Sequence, residues 1–274
     1  MNLVYVGNTL INDVMLGAKR MDDVLQNYRI SPVTSGSVLL LDAANRTSYS
    51  GSGTNWFDLS GNSNNAKLQN VNNVWTSSLG GYFDFPANTL YSASVTHSTS
   101  LAVFGTGSEF TVEYWMTIDD NLGGGSDNFG VIEKSSFADG SGWGTLWGRN
   151  YPTDPNNYGV GGMWLLGSPN NNTTGSRIMN PWVTGSWLCV QHIRSGSVLK
   201  TYSNLNQLSA VTASVNANNT TAINIGLGIA GDSPVYPMGG KLMFTAIYNR
   251  ALTPAEQTQN YNSMASRVGL ALNQ

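Results

Sequence analysis

Short runs in which apolar and polar residues alternate, each closed by a glycine- or asparagine-rich turn, recur along this chain and leave little room for anything but sheets. The clearest run is 109–118, where Phe110, Val112, Tyr114 and Met116 share one face while Glu113 and Trp115 share the other. A period of two is what a strand imposes on its side chains. Further strands are expected at 37–42 around Leu39-Leu40-Leu41, and at 81–85, 187–194, 198–202, 222–229 and 241–248. Turns at such short intervals are what a sandwich requires. One helix is signalled: Thr253 as N-cap, Pro254 at the first helical position and Glu256 three residues after the cap form a capping box. It is expected to run from 254 to about 265.

Composition agrees with strands and turns. Only 11% of the residues are charged, against roughly 25% in ordinary soluble domains. Gly, Asn, Ser and Thr, the turn and sheet-face residues, fill the gap. Disorder is not implied, because 8 Trp, 12 Tyr and 8 Phe supply large buried areas. With 13 basic residues spread along the chain and a net charge of −3, there is no electrostatic footprint for nucleic acid. No apolar run is long enough to span a membrane as a helix, and the first residues lack the basic-then-apolar order of a secretory signal. The single cysteine, Cys189, excludes an intramolecular disulfide. A chain made in a cytoplasm and stabilised by packing is expected.

The first 33 residues stand apart. Val6-Gly7-Asn8-Thr9-Leu10-Ile11-Asn12-Asp13-Val14 aligns with Leu16-Gly17-Ala18-Lys19-Arg20-Met21-Asp22-Asp23-Val24, ten residues later. Each copy reads as a small hairpin with glycine at the turn. Two hairpins cannot bury a core alone. Their apolar residues, Val4, Val6, Leu10, Val14, Leu16, Met21 and Val24, are therefore expected to meet neighbours, most simply copies of themselves, with a homotrimer first among the options. The alternative is two ordinary strands at the edge of the main domain. Residues 31–36 read as a linker, giving an N-terminal unit at 1–33 and a sandwich at 34–274. The repeat resembles short segments of tailed-phage virion proteins, in which similar glycine turns recur about every ten residues.

Four stretches carry a second resemblance. They are Leu39-Leu40-Leu41-Asp42-Ala43-Ala44-Asn45 with Trp56-Phe57-Asp58-Leu59-Ser60-Gly61-Asn62; Gly81-Tyr82-Phe83-Asp84-Phe85; Phe110-Thr111-Val112-Glu113-Tyr114-Trp115; and Ile247-Tyr248-Asn249-Arg250-Ala251-Leu252-Thr253. Together they resemble laminin-G-like, concanavalin A-like lectin/glucanase domains of the kind found in phage and bacterial surface proteins. The resemblance implies an all-β fold: a concanavalin A-like jelly-roll sandwich of two antiparallel sheets, with the small hairpin segment before it and one short C-terminal helix. Asp58 and Asn62 are expected to accept hydrogen bonds from backbone N–H groups and hold a tight turn.

Such a fold can host glycosidases, which need two carboxylates roughly 5–10 Å apart. The hydrolytic members' Glu-x-Asp-x-x-Glu strand is absent. Glu109 and Glu113 share a strand face but lie about 13 Å apart, and read as two solvated carboxylates. Gly226-Leu227-Gly228-Ile229-Ala230-Gly231 matches a dinucleotide fingerprint as a string, yet no helix follows it; close backbone packing is the expectation. His192 reads as a satisfied sheet histidine and Cys189 as a small core residue. No transition-metal spacing exists. The resemblance admits Ca²⁺ held by loop oxygens, for which Asp119, Asp120 and Asp127 are the candidates. Trp143, Trp147, Tyr151, Tyr158 and Trp164 fall in a Gly/Asn-rich region and are the candidate sugar-stacking residues; the alternative is that they are core.

The expectation is thus a non-enzymatic virion-surface protein, a capsid decoration or tail-associated component. Its hairpins would contact other virion proteins, and its lectin-like sandwich would adhere weakly to glycan. A receptor-binding tail-fibre lectin and, behind it, a glycan hydrolase are the alternatives.

Overall fold

In the computed structural model, residues 4–6, 9–11, 30–70, 74–86, 89–118, 128–136, 141–148, 160–167, 172–179, 185–230 and 233–273 are described. The chain divides into two units, Met1–Ser31 and Pro32–Gln274.

Within the first unit, β1 (Val4–Val6) and β2 (Thr9–Ile11) pair antiparallel, with Val6 opposite Thr9. Gly7-Asn8 is the only sequence between them, the two-residue spacing of a tight hairpin. Val14 at the end of the first copy, and the whole second copy with Leu16, Met21 and Val24, lie outside the described residues.

The second unit is a sandwich of two large antiparallel sheets. Sheet one runs, edge to edge, β13 (Asn172–Met179), β12 (Val160–Gly167), β11 (Ser141–Gly148), β10 (Asn128–Ser136), β17 (Ile223–Ile225), β8 (Ser92–Val95), β5 (Ala66–Gln69) and β4 (Asn55–Trp56). Sheet two runs β16 (Asn206–Thr212), β15 (Val198–Ser203), β14 (Leu188–Ser195), β9 (Phe110–Met116), β20 (Gly240–Tyr248), β7 (Tyr82–Phe85) and β6 (Trp75–Thr76), with β3 (Ser37–Asp42) also on β20. A separate hairpin joins β18 (Leu227–Ala230) to β19 (Ser233–Pro237).

The alternation in β9 decides the layering. Phe110, Val112, Tyr114 and Met116 point between the sheets into a core shared with Phe83, Phe85, Phe129, Trp143 and Trp147. Trp115 points the other way, into a second apolar layer with Leu40, Phe244, Tyr248, Tyr261 and Met264. That layer lies under the helix α1 (Pro254–Ala265). Its capping box is formed as expected: the Thr253 hydroxyl accepts from the Glu256 N–H, and the Glu256 carboxylate accepts from the Thr253 N–H.

The Asp58 turn is also formed. Asp58 Oδ1 accepts from the N–H groups of Leu40 and Ser60, each at 2.9 Å, and Oδ2 accepts from Asn64 N at 3.0 Å. Asn62 plays a different part from the expected one: its amide donates to Ser37 O at 3.1 Å, so it is a donor pinning the turn to β3. The stretch expected as a linker is docked at Val33, which is buried and donates to Asn260 Oδ1 at 2.7 Å.

Two expectations from periodicity need correction. The run 222–229 is not one strand but two, because Gly226 (φ 81°) turns the chain between β17 and β18. No strand was expected between 118 and 187, yet that stretch supplies β10 to β13. In β10 a register shift between Gly130 and Glu133 breaks the alternation, so Val131 and Ile132 both reach the core. A bulge of this kind hides a strand from a period-two reading.

Candidate functional site

The outer face of sheet one, away from the core, carries the site. On β12, Met163 and Leu165 are buried inward, so the intervening Trp164 faces out. Trp164 is half-buried and lies opposite Gly144 of β11. The missing side chain at Gly144 makes room for it. A Cβ there would sit 2.8 Å from Trp164 Cζ2 and 2.9 Å from Glu133 Cγ. The Glu133 side chain therefore lies on the same glycine as the indole. Its carboxylate accepts a hydrogen bond from the Ser135 hydroxyl, two residues along β10. Both Glu133 and Ser135 are buried.

The β18–β19 hairpin closes one side of this group. Gly130 and Gly228 meet backbone to backbone: a Cβ on Gly130 would fall 2.4 Å from Gly228 Cα. From Gly228 the Glu133 Oε2 is 3.3 Å and the Tyr236 Cβ 3.1 Å, measured to the same ideal Cβ position. The dinucleotide-like glycine string thus serves close strand packing against Glu133 and not phosphate binding, as its lack of a following helix implies. The half-buried aromatic face of Trp164 suits a ligand with apolar C–H faces, whereas Glu133 and Ser135 are themselves covered. Glu133, Ser135 and Gly144 were not singled out from the sequence; no strand was expected there, and what places Glu133 beside Trp164 is the pairing of β10, β11 and β12.

The other candidate aromatics do not join Trp164. Trp143 and Trp147 are buried in the core: Trp143 stacks on Phe104 at 4.4 Å, and Trp147 stacks on Phe129 and donates its N–H to the Tyr114 hydroxyl at 3.1 Å. Their faces are covered by protein, so they are core residues and not sugar platforms. Tyr151, Tyr158 and the Ca²⁺ candidates Asp119, Asp120 and Asp127 lie outside the described residues. Among the described residues no group of three His, Cys, Asp or Glu side chains could hold a metal ion.

Of the two strand carboxylates, Glu109 is solvated as expected and Glu113 is not. Glu109 is exposed and accepts from the Ser195 hydroxyl at 3.1 Å. Glu113 is fully buried against α1, and that burial pushes its carboxyl up to about 7. It is not a solvated carboxylate, because α1 roofs the face on which it stands. His192 is buried between the sheets, bonded to the Tyr114 hydroxyl at 3.0 Å and to Thr201 Oγ1 at 2.9 Å. Burial pushes it down to about 3, so the imidazole is neutral. Cys189 is buried and its thiol is raised by burial. Lys134, also buried, is lowered to about 8 by desolvation and shares a 2.9 Å hydrogen bond with His97 Nδ1.

No protein-family model matches the sequence, and no curated protein matches it either. Solved structures do resemble the fold. The botulinum neurotoxin serotype D binding domain superposes with a TM-score of 0.62 at 13% identity, covering 85% of this chain and 52% of that one. The fold shared with them is an all-β sandwich of two antiparallel sheets. A structure of botulinum neurotoxin type C, reported as depending on two ganglioside molecules to get into cells, has a TM-score of 0.62 at 14% identity over 85% and 52% of the two chains. The botulinum neurotoxin DC binding domain in complex with rat synaptotagmin II has a TM-score of 0.60 at 14% identity over the same shares. This chain therefore spans about half the length of these neighbours.

Proposed function

We propose that the protein is a non-catalytic, lectin-like binding module whose sugar platform is the Trp164 face of sheet one. The half-buried Trp164 indole, seated on Gly144 beside the Glu133–Ser135 pair, carries this reading. An indole stacks on the C–H face of a hexose, and the buried Glu133 and Ser135 lie beside the glycine on which it is seated. The neighbours with this fold support a binding role, since they include binding domains in complex with SialylT and with rat synaptotagmin II, and a neurotoxin whose cell entry depends on two ganglioside molecules. A non-hydrolytic role is supported by the carboxylates: Glu113 stands under α1 on the outside of sheet two, and Glu133 on the outside of sheet one. The whole sandwich separates them, and a glycosidase pair needs roughly 5–10 Å.

A glycan array probed with the full chain tests the reading. We expect a hit that Trp164→Ala abolishes while the melting temperature stays within a few degrees of wild type. No hit with any glycan, or a hit indifferent to Trp164→Ala, overturns it.

The virion setting rests on the resemblance of residues 6–24 to phage virion segments, and the homotrimer on the apolar residues of that repeat. Both belong to this proposal. Sedimentation of the full chain is expected to give three times the 29.3 kDa protomer mass, falling to one with Leu10→Asp and Val24→Asp together. Antibody labelling of intact phage particles checks the location.

A further inference from the structure

On the opposite side from Trp164, a buried polar cluster sits between sheet two and α1, centred on Glu113. Asn260 Nδ2 donates to Glu113 Oε2 at 2.7 Å, and Gln191 Nε2 donates to the same oxygen at 3.0 Å. Oε1 faces the Cys189 sulfur at 3.9 Å. Asn260 is also the junction to two other segments. Its Oδ1 accepts from Val33 N at 2.7 Å, and its Nδ2 donates to the Tyr248 hydroxyl at 2.9 Å, which in turn donates to Val33 O at 3.0 Å. Strands β9, β14 and β20, helix α1 and the segment through Val33 are thus tied together at one carboxyl.

The groups around that carboxyl are all uncharged. Cys189 and Gln191 face it from β14, Tyr248 from β20, Asn260 from α1, and Trp115 from β9 itself. Tyr261 of α1 packs on Trp115 at 5.3 Å. Arg250 is bonded to Glu256 at 2.7 Å, and these two reach Tyr248 only through their charges. Among the described residues no cation contacts Glu113. A carboxylate buried without a cation is costly even with two amide donors. The thiol of Cys189 and the phenol of Tyr248 are both raised by burial, so Glu113 is the group of this cluster that titrates first.

We propose that Glu113 is the pin of a proton-operated latch. While its carboxyl is neutral, α1 and the segment through Val33 are held on sheet two; when it ionises, they loosen and the two-sheet core stays folded. The division follows from the layering. The large core lies on the other face of β9, whereas α1 is the lid above Glu113, and lifting it is the shortest way to bring water to the charge. Burial places the proton's release at about pH 7, and Val33 lies beside the boundary between the two units.

Cys189 is the only cysteine and lies against Glu113 beneath α1, so it reports the lid. The native full chain is alkylated with a neutral thiol reagent from pH 6 to 8.5, and each rate is divided by that of the unfolded chain at the same pH. The expected protection of Cys189 falls at least tenfold across this range in wild type and stays level in Glu113→Gln. Level protection in wild type, or an equal fall in Glu113→Gln, overturns the latch. Hydrogen exchange of wild type alone provides a second measurement if the variant does not fold. Corrected for intrinsic rates, α1 amides should lose protection above pH 7 while β9 and β14 amides keep theirs. A uniform change, or none, overturns the proposal.

Discussion

Arg267, just beyond α1, grips Asp42 at the end of β3 with both terminal nitrogens, at 2.8 and 3.0 Å, across 225 residues of chain. Asp42 is almost wholly buried and also accepts from the Ala44 N–H at 2.9 Å. The pair holds the C-terminal end of the helix layer onto the first strand of the sandwich. Removing one partner leaves a buried charge uncompensated, which costs far more than the pair itself contributes. Arg267→Met is expected to destabilise the fold by about 3 kcal/mol, measured as a lower urea midpoint with an unchanged m-value. Arg267→Lys, which keeps the charge but loses the fork, should recover part of it.

Arg194 should be less forgiving. Its guanidinium is buried with no carboxylate partner among the described residues, donating to the carbonyl oxygens of Ser108, Gly105 and Val215 and lying 4.8 Å above the Phe110 ring. A lysine has a point charge and cannot reach three diverging carbonyls at once. Arg194→Lys is expected to cost about 2–3 kcal/mol, seen in thermal melting, with loss of protection in the 104–108 loop by hydrogen exchange.

Two buried groups give the fold opposing pH dependences. Glu113 is raised from 4.5 to about 7 by burial. Above pH 4.5 the unfolded chain therefore gives up a proton that the fold keeps, and stability falls with rising pH until about 7. His192 is lowered from 6.5 to about 3 by burial. Below pH 6.5 the unfolded chain takes up a proton that the fold refuses, so stability falls as pH drops toward 3. Between pH 4.5 and 6.5 the slopes oppose, each about 1.4 kcal/mol per pH unit. The melting temperature of wild type should change little across that window, while Glu113→Gln should rise steadily with pH. A parallel course for the two proteins contradicts the assignment.

Gly144 is the position on which the sugar platform depends. A methyl group there meets Trp164 and Glu133 at 2.8–2.9 Å, closer than side-chain carbons approach. Gly144→Ala is expected to displace the indole, shift the tryptophan emission and lower glycan affinity at least tenfold. The stability cost should stay near 1–2 kcal/mol, roughly that of a small overpacking, because the indole lies on the outer face.

Local rules were enough for several elements. The strand pattern of Phe110 to Met116, the Asp58 turn and the Thr253–Glu256 cap depend on neighbours in sequence, so residue type alone predicts them. The site was legible only in part. Trp164 stood among five candidate aromatics, but Trp143 and Trp147 look the same in the string, and which indole faces the core depends on strand parity and on sheet pairing. Glu133 meets Trp164 only through the pairing of three strands that local alternation did not reveal. Glu113 was misread for a related reason: alternation put it on the face away from the core, and that face is normally wet.

The amino-acid sequence by itself therefore determined an all-β sandwich with one capped helix, because alternation, turn chemistry and capping act over a few residues. Only the tertiary structure decided which outward face meets solvent and which lies under a helix placed some 140 positions later in the chain. Burial is a property of what packs on a surface, and a carboxyl's charge, like an indole's availability to a sugar, follows from burial.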